Sequence, residues 1–271
     1  MKKLVSKQAT RTSLGCLSKG WYEDGGDLYL VKGNSNSEIS SKFGYEPFSE
    51  VLASRLGKLL DLPVVDYTLE PASSYPDITM HNCDYVSVCK KFSADDEQLV
   101  SYCKWADLTN GKEVKDYFNY YLKSNLSNKA LVQMLIFDAI IGNPDRHLNN
   151  FDVVVGRDTQ KLGPIFDNGA CMLAQKSNAE LKISKGIGFD KAKPFKPTHT
   201  EQVSLVKRRL GYKDLFRVDV ERVYQQWVDE CADIFDLMED FRVECIKVYV
   251  KNRLVFLKDF NGGGVNALDA F

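Results

Sequence analysis

Three oxygen-bearing side chains, Asp145, Asn150 and Asp167, are spaced around a short apolar run. The first two lie in GNPDRHLNNFDVVV, residues Gly142 to Val155, directly after the apolar stretch ALVQMLIFDAII. Two acids, an arginine, a histidine and three asparagines fall in that span, far more side-chain chemistry than a turn requires. Asn150 precedes FDVVV, and Asp167 ends the returning run GPIFD, so the spacing predicts a hairpin that brings Asn150 and Asp167 together. Hard oxygen donors of this kind suit Mg²⁺, which keeps several waters and shares its remaining positions with substrate phosphates. Asp145 lies on the loop that feeds the hairpin. From there it can face the same point without being a metal ligand.

A base, a metal ligand, a hairpin and a second metal ligand, in that order, follow the protein-kinase plan of D-x-x-x-x-N and then an Asp-containing turn. In that plan Asp145 orients or accepts the proton of an acceptor hydroxyl, while Asn150 and Asp167 hold the metal. The competing reading is that Asn and Asp merely make turns, because their side chains bond nearby backbone. D-x-x-x-x-N alone does not decide between them; all three residues at matching places favour the chemistry. His147, Arg146 and Asn143 read as braces of the loop and not as acids or bases.

IIGNPDRHLNNFDVVV with PIFDNG resembles the catalytic segment of the HipA-like serine/threonine kinases, a family that includes toxin kinases and kinases translocated into host cells. The similarity is specific over about residues 135 to 171 and looser elsewhere. It implies a bilobal protein-kinase-like fold, ATP and Mg²⁺ as cofactors, and transfer of the γ-phosphate to a protein serine or threonine. By position, Asp145 would be the catalytic aspartate and Asn150 and Asp167 the metal ligands. The resemblance places Lys32, at the end of the strand DLYLVKG, on the nucleotide phosphates. It places the carboxylate partner of Lys32 in EPFSEVLASRLG, at Glu50, with Glu46 one turn earlier as the alternative. The phosphate-covering loop falls on RTSLGCLSKG, where Gly15 would allow close backbone approach and Lys19 would add charge. That loop has only Gly15 and Gly20 and departs from G-x-G-x-x-G. Cys89, Lys90 and Lys91 in VSVCKKF would offer backbone groups to adenine. Family behaviour also suggests self-phosphorylation at Thr12 or Ser13 and an antitoxin-like partner. Without the resemblance, Lys32 is a solvated strand end and Glu50 a surface charge.

The elements that must position these residues divide the chain in two, giving an α+β fold. A small β-rich N-lobe, residues 1–92, would bind nucleotide, and a larger helical C-lobe, residues 93–271, would carry the catalytic and metal-binding loop. In the front part, DLYLVKG, PVVDYTLE and DYVSVCKKF read as strands around one helix from about Pro47 to Leu60. NKALVQMLIFDAII is apolar on nearly every side, as a helix in a domain centre must be, and Gly142 stops it. FDVVVG and KLGPIFDNG form the hairpin. Helices then follow in TEQVSLVKRRL, around DVERVYQQWVDECADIFDLM, and in FRVECIKVYVKNRLVFLKDF, before a loose tail. The basic run KISKGIGFDKAKPFKPTH is either a solvated loop or the segment that meets a protein substrate.

Bulk composition narrows the partners. The 271 residues carry 36 basic and 37 acidic side chains, so no global field favours nucleic acid or an anionic membrane. Seven scattered cysteines without a C-x-x-C pair, and only three histidines, speak against structural zinc and for reduced thiols in a cytoplasm. The N-terminus lacks a signal-peptide core, and no run is long enough to span a membrane. The rival functions are a phosphoinositide or small-molecule phosphotransferase and a non-catalytic nucleotide-binding toxin–antitoxin module. The first would want a basic membrane surface or a distinct acceptor pocket. The second would show loss of a catalytic residue, and Lys32, Asp145, Asn150 and Asp167 are all present.

Overall fold

A computed structural model describes residues 2–6, 17–35, 44–76, 84–183, 191–211 and 218–262. Its front part is an antiparallel sheet of β1 (Lys3–Ser6), β2 (Leu17–Asp24), β3 (Asp27–Ser35), β4 (Thr68–Pro71) and β5 (Tyr85–Lys90), with α1 (Glu46–Leu59) against it. The strand order is β1-β2-β3-β5-β4. Two residues, Gly25 and Gly26, close the β2–β3 hairpin at φ of 62° and 90°. Two consecutive positive φ values give the tight turn whose twist matches the flanking strands, and glycine adopts them without a Cβ clash. The resulting register sets Lys19 opposite Lys32. The sequence reading contained β3, β4, β5 and α1 but neither β1 nor β2.

The rear part contains α2 (Tyr102–Asn110), α3 (Tyr117–Lys123), α4 (Asn128–Ile141), α5 (Asn178–Ile183), α6 (His199–Leu210), α7 (Val220–Glu230), α8 (Ala232–Phe235) and α9 (Asp240–Gly262). A second sheet, β6 (Gln98–Ser101), β7 (Asp152–Val155) and β8 (Gln160–Leu162), runs in the order β6-β7-β8. The helical segment around DVERVYQQWVDECADIFDLM is two helices, α7 and α8, meeting at Cys231. One expectation needs correction. The returning hairpin strand ends at Leu162 and does not run on through GPIFD to Asp167. Residues 163–166 leave the sheet because Ile165 finds backbone partners elsewhere: its N–H donates to the Pro63 carbonyl at 2.7 Å, and its carbonyl accepts from Val65 at 2.9 Å.

One apolar core joins the two parts, with α4 at its centre. Leu131, Leu135, Ile136, Phe137, Ile140 and Ile141 of α4 are all fully buried. α1 docks on the rear helices as well as on its own sheet. The Trp227 indole N–H of α7 donates to the Leu52 carbonyl at 3.0 Å, and Arg55 pairs with Asp233. Among the described residues, no helix is long and apolar enough to cross a membrane.

Gly142 caps α4 at φ 63°, and a Cβ built there would lie 1.7 Å from the Tyr249 hydroxyl of α9. Gly142→Ala therefore suffers twice. We expect a loss of ~1–2 kcal/mol from the left-handed backbone and a further ~1–3 kcal/mol from overpacking, read by urea unfolding. The ring carbon Cζ of Tyr249 would also lie 2.7 Å from that Cβ, so on a Tyr249→Ala background the overpacking part disappears and the backbone part stays; an unchanged cost there refutes the steric account.

His199 is fully buried at the start of α6, and neither ring nitrogen has a hydrogen-bond partner among the described residues. Burial, with help from the Arg253 charge, holds its pKa well below the usual histidine value. The folded chain refuses a proton that the unfolded chain accepts below about pH 6.5, so stability present above that pH is lost as pH falls. His199→Leu is expected to flatten the decline between pH 7 and 5, by up to ~1.4 kcal/mol per pH unit. Identical slopes for parent and variant would reject this origin.

Candidate active site

The loop after α4 is built around Arg146, which is fully buried. Its Nε and Nη2 donate to the two carboxylate oxygens of Asp138, also fully buried, at 3.0 and 2.9 Å. Nη1 donates to the Asn150 carbonyl at 2.8 Å and to the Phe166 carbonyl, and Nη2 donates to Asn168 Oδ1 at 2.5 Å. One planar guanidinium thus ties α4, the loop and the 166–168 segment together. Asn150 and Asp167 become neighbours through this cation, not through a continuous hairpin. Asn143 braces the same loop: its Nδ2 donates to Asp138 Oδ1 at 3.3 Å, and its Oδ1 accepts from the Asp145 amide at 3.0 Å.

Lys32 lies in the cleft between the two parts of the fold, buried to 5% exposure. Its ammonium donates to Glu50 Oε1 of α1 and to Asp167 Oδ1, the latter at 2.6 Å. Glu50, and not Glu46, is therefore the carboxylate facing Lys32. The other Glu50 oxygen, Oε2, accepts from the Asn168 amide at 2.8 Å. Burial alone would lower the Lys32 pKa, but the charges of Asp167 and Glu50 outweigh it and hold the ammonium above its usual value. For Asp167, burial is likewise outweighed, here by Lys32, and the carboxyl is held below the usual range, with the charges of Arg146 and Lys19 helping. Glu50 is raised by burial, against the pull of Lys32. Asp167 adopts φ 61°, the left-handed region. A non-glycine residue held there by contacts on both sides is a mark of functional sites. Two residues on, Gly169 sits so close that a Cβ would meet Glu46 Cβ at 3.3 Å.

Asp145 lies on the same loop as Arg146, half exposed. Its carbonyl accepts from Asn150 Nδ2 at 2.8 Å, which fixes the amide. Its Oδ1 accepts from Lys193 at 2.7 Å, both side chains being about half exposed at 46% and 53%. Lys193 belongs to the basic run, and buried Gln202 holds its backbone by donating to the Lys193 carbonyl at 3.0 Å and accepting from the Phe195 amide at 3.2 Å. His147 accepts from the Asn149 amide at Nδ1, 3.2 Å, and so braces the loop.

The cleft cavity is lined by Lys19, Trp21, Leu30, Lys32, Leu99 and Phe166, among others, and holds about 50 Å³. Small-molecule sites start near ~300 Å³, so a nucleotide can enter only if these walls move apart. Cys89 lines the same cavity. Lys91 lines it too, but its amide donates to the Leu28 carbonyl at 2.7 Å and is not offered to the cleft; the Lys90 side chain pairs with Asp27. Gly15, Thr12 and Ser13 lie outside the described residues. Two residues here are not singled out by the sequence. Lys193 is one lysine in a basic run. Asp152 falls at the start of a strand, yet its carboxylate is buried, 1% exposed, with no hydrogen-bond partner at either oxygen among the described residues. Burial, then the charge of Asp167, pushes its pKa up to about 7.

The two cations of the loop differ in kind. Arg146→Lys cannot reproduce the fork and leaves Asp138 buried and under-bonded, at an expected cost of ~3–5 kcal/mol. Lys193→Ala removes an exposed pair and should cost below ~1 kcal/mol. Chemical denaturation separates the two; equal costs would contradict this division of labour.

No family model matches the sequence, and no curated protein matches it significantly. Among solved structures, the proinflammatory kinase CtkA of Helicobacter pylori is similar over 99% of this chain and 97% of its own, with a TM-score of 0.68 and 18% sequence identity. The toxin–antitoxin protein HipA of Shewanella oneidensis, solved with HipB and operator DNA, covers 99% of this chain and 68% of its own at a TM-score of 0.48 and 13% identity, a score too low to carry an argument. The chain has the mixed α+β fold of CtkA, a kinase fold with an antiparallel sheet in front and helices behind.

Proposed function

We propose that this chain is a kinase that uses ATP and Mg²⁺ to phosphorylate serine or threonine hydroxyls of a protein. The observation that carries the reading is the position of Lys32, between Glu50 of α1 and Asp167. A lysine fully buried between two carboxylates from distant parts of the chain is costly unless its charge is used. In kinases such a lysine meets the nucleotide phosphates and such an aspartate meets the metal. The fold shared with CtkA is consistent with this.

The donor set fits the metal. Asn150 and Asp167 offer hard oxygens from two segments that Arg146 locks together, and Mg²⁺ takes few protein ligands of this type. When bound, the metal would neutralise charge on the transferred phosphoryl group. The chain's own residues supply the rest. Lys32 holds the phosphates, and Glu50 keeps the ammonium in place through its second bond to the Asn168 amide. Asp145 orients the acceptor hydroxyl and accepts its proton; its exposure suits an acceptor carried by a macromolecule. Lys193 fixes the free oxygen of Asp145 and puts positive charge beside the transferring group.

Purified protein incubated with labelled ATP and Mg²⁺, alone and with cell lysate, tests the reading. Asp145→Ala and Asp167→Ala are each expected to lower phosphoryl transfer by ~10²–10⁴-fold. Transfer by either variant at the parental rate would overturn the assignment.

A further inference from the structure

Asp152 is an acid that the proposed chemistry leaves unused, and its placement is informative. Phe151 and Val153 belong to the main apolar core. Side chains alternate along a strand, so Asp152 and Val154 face the other way. Val154 pairs across the ladder with Leu99, and cross-strand partners share a face. Leu99 lines the cleft cavity together with Asp167. Asp152 therefore shares the sheet face of Leu99, on the strand that Asn150 leads into, and its buried carboxylate feels the charge of Asp167.

It has no counter-charge there. Lys32 is shared by Glu50 and Asp167, and Arg146 is saturated by Asp138, two carbonyls and Asn168. Buried polar groups are nearly always partnered, and those that are not call for an ion or a water. Two oxygens, both buried and both without a partner among the described residues, close enough to Asp167 to feel its charge and two residues after Asn150, form a cradle for a cation. Asp152 and Asp167 together cancel the charge of a divalent ion, which neither could do alone.

We propose that Asp152 is a third side chain of the divalent-cation site, alongside Asn150 and Asp167. The inference rests on the metal reading of those two residues given above, and it adds an acid that the kinase pattern of Asn and Asp does not contain. Its consequence is a site that holds a cation without nucleotide, since two carboxylates replace the share of charge that phosphate oxygens otherwise supply.

Mn²⁺ is the probe, because it takes oxygen ligands and its bound fraction is read directly by electron paramagnetic resonance. Titration of the whole chain without nucleotide should give binding that Asp152→Asn weakens at least about tenfold. Thermal melts provide the second readout. Relieved of an unpartnered charge, Asp152→Asn should melt higher than the parent in EDTA, and it should gain less from added Mn²⁺. Asp152→Ser serves the same purpose if the asparagine variant fails to fold. Mn²⁺ binding by both variants within about twofold of the parent overturns the proposal. So does an unchanged Mn²⁺ affinity coupled with weaker ADP binding in EDTA, which would put Asp152 on the nucleotide instead. Loss of Mn²⁺ binding in Asp167→Asn but not in Asp152→Asn rejects only the third ligand. Absence of binding by the parent, with and without ADP, rejects the metal site itself.

Discussion

The buried contact between Arg146 and Asp138 is the constraint on which the site depends. An ion pair taken out of water gains little net stability, because desolvation offsets the attraction. What this one gains is position. The guanidinium is planar and has five donors in a fixed fork. Asp138 takes one edge, and the remaining donors reach Asn150, Phe166 and Asn168. Asp138 itself sits on α4, the most deeply packed helix of the fold. The loop and the Asp167 segment are thus referenced to the rigid centre of the molecule and not to each other.

A second constraint follows from the first. Once Asp167 is fixed by its neighbours, Lys32 must reach it from a different sheet, and it does so only because α1 presents Glu50 on the same side. α1 is pinned to the rear helices within one of its middle turns, by Trp227 on the Leu52 carbonyl and by Asp233 on Arg55. The front sheet therefore meets the cleft through a helix that the rear helices hold. Glu50 closes the circuit, with one oxygen on Lys32 and the other on the Asn168 amide. Charge sharing in this cluster is uneven: one ammonium serves two carboxylates, with Arg146 and Lys19 adding their fields at Asp167.

Much of this was legible in the sequence, for physical reasons that can be named. A helix apolar on every side has only one place to go, so α4 and its glycine stop could be read directly. The three oxygen donors could be read because their spacing around a short strand is hard to explain by turn chemistry. Glu50 against Glu46 could not be settled, since both lie on one face of α1 and the choice depends on how that helix docks. The end of β8 at Leu162 was hidden because Ile165 pairs with Pro63 and Val65, a hundred residues away in sequence. Lys193 was hidden for a similar reason: nothing in a basic run says which lysine Gln202 will hold over Asp145. Asp152 had a signal that went unused. It is the one charged residue of an otherwise apolar strand, where a side chain on a buried face needs a reason.

The local cost of the site shows where function has overridden packing. Asp167 holds a left-handed backbone, Asp152 is buried without a partner, and Lys32 is buried between two acids. Each alone works against folding. They persist together because the surrounding elements leave no easier arrangement: Gly169 is packed against Glu46, Gly142 against Tyr249, and Arg146 spans the gap. Strain of this kind is relieved when charge of the missing sign arrives. A cleft walled in to about 50 Å³ is then coupled to its ligands, because its walls must move apart to admit them.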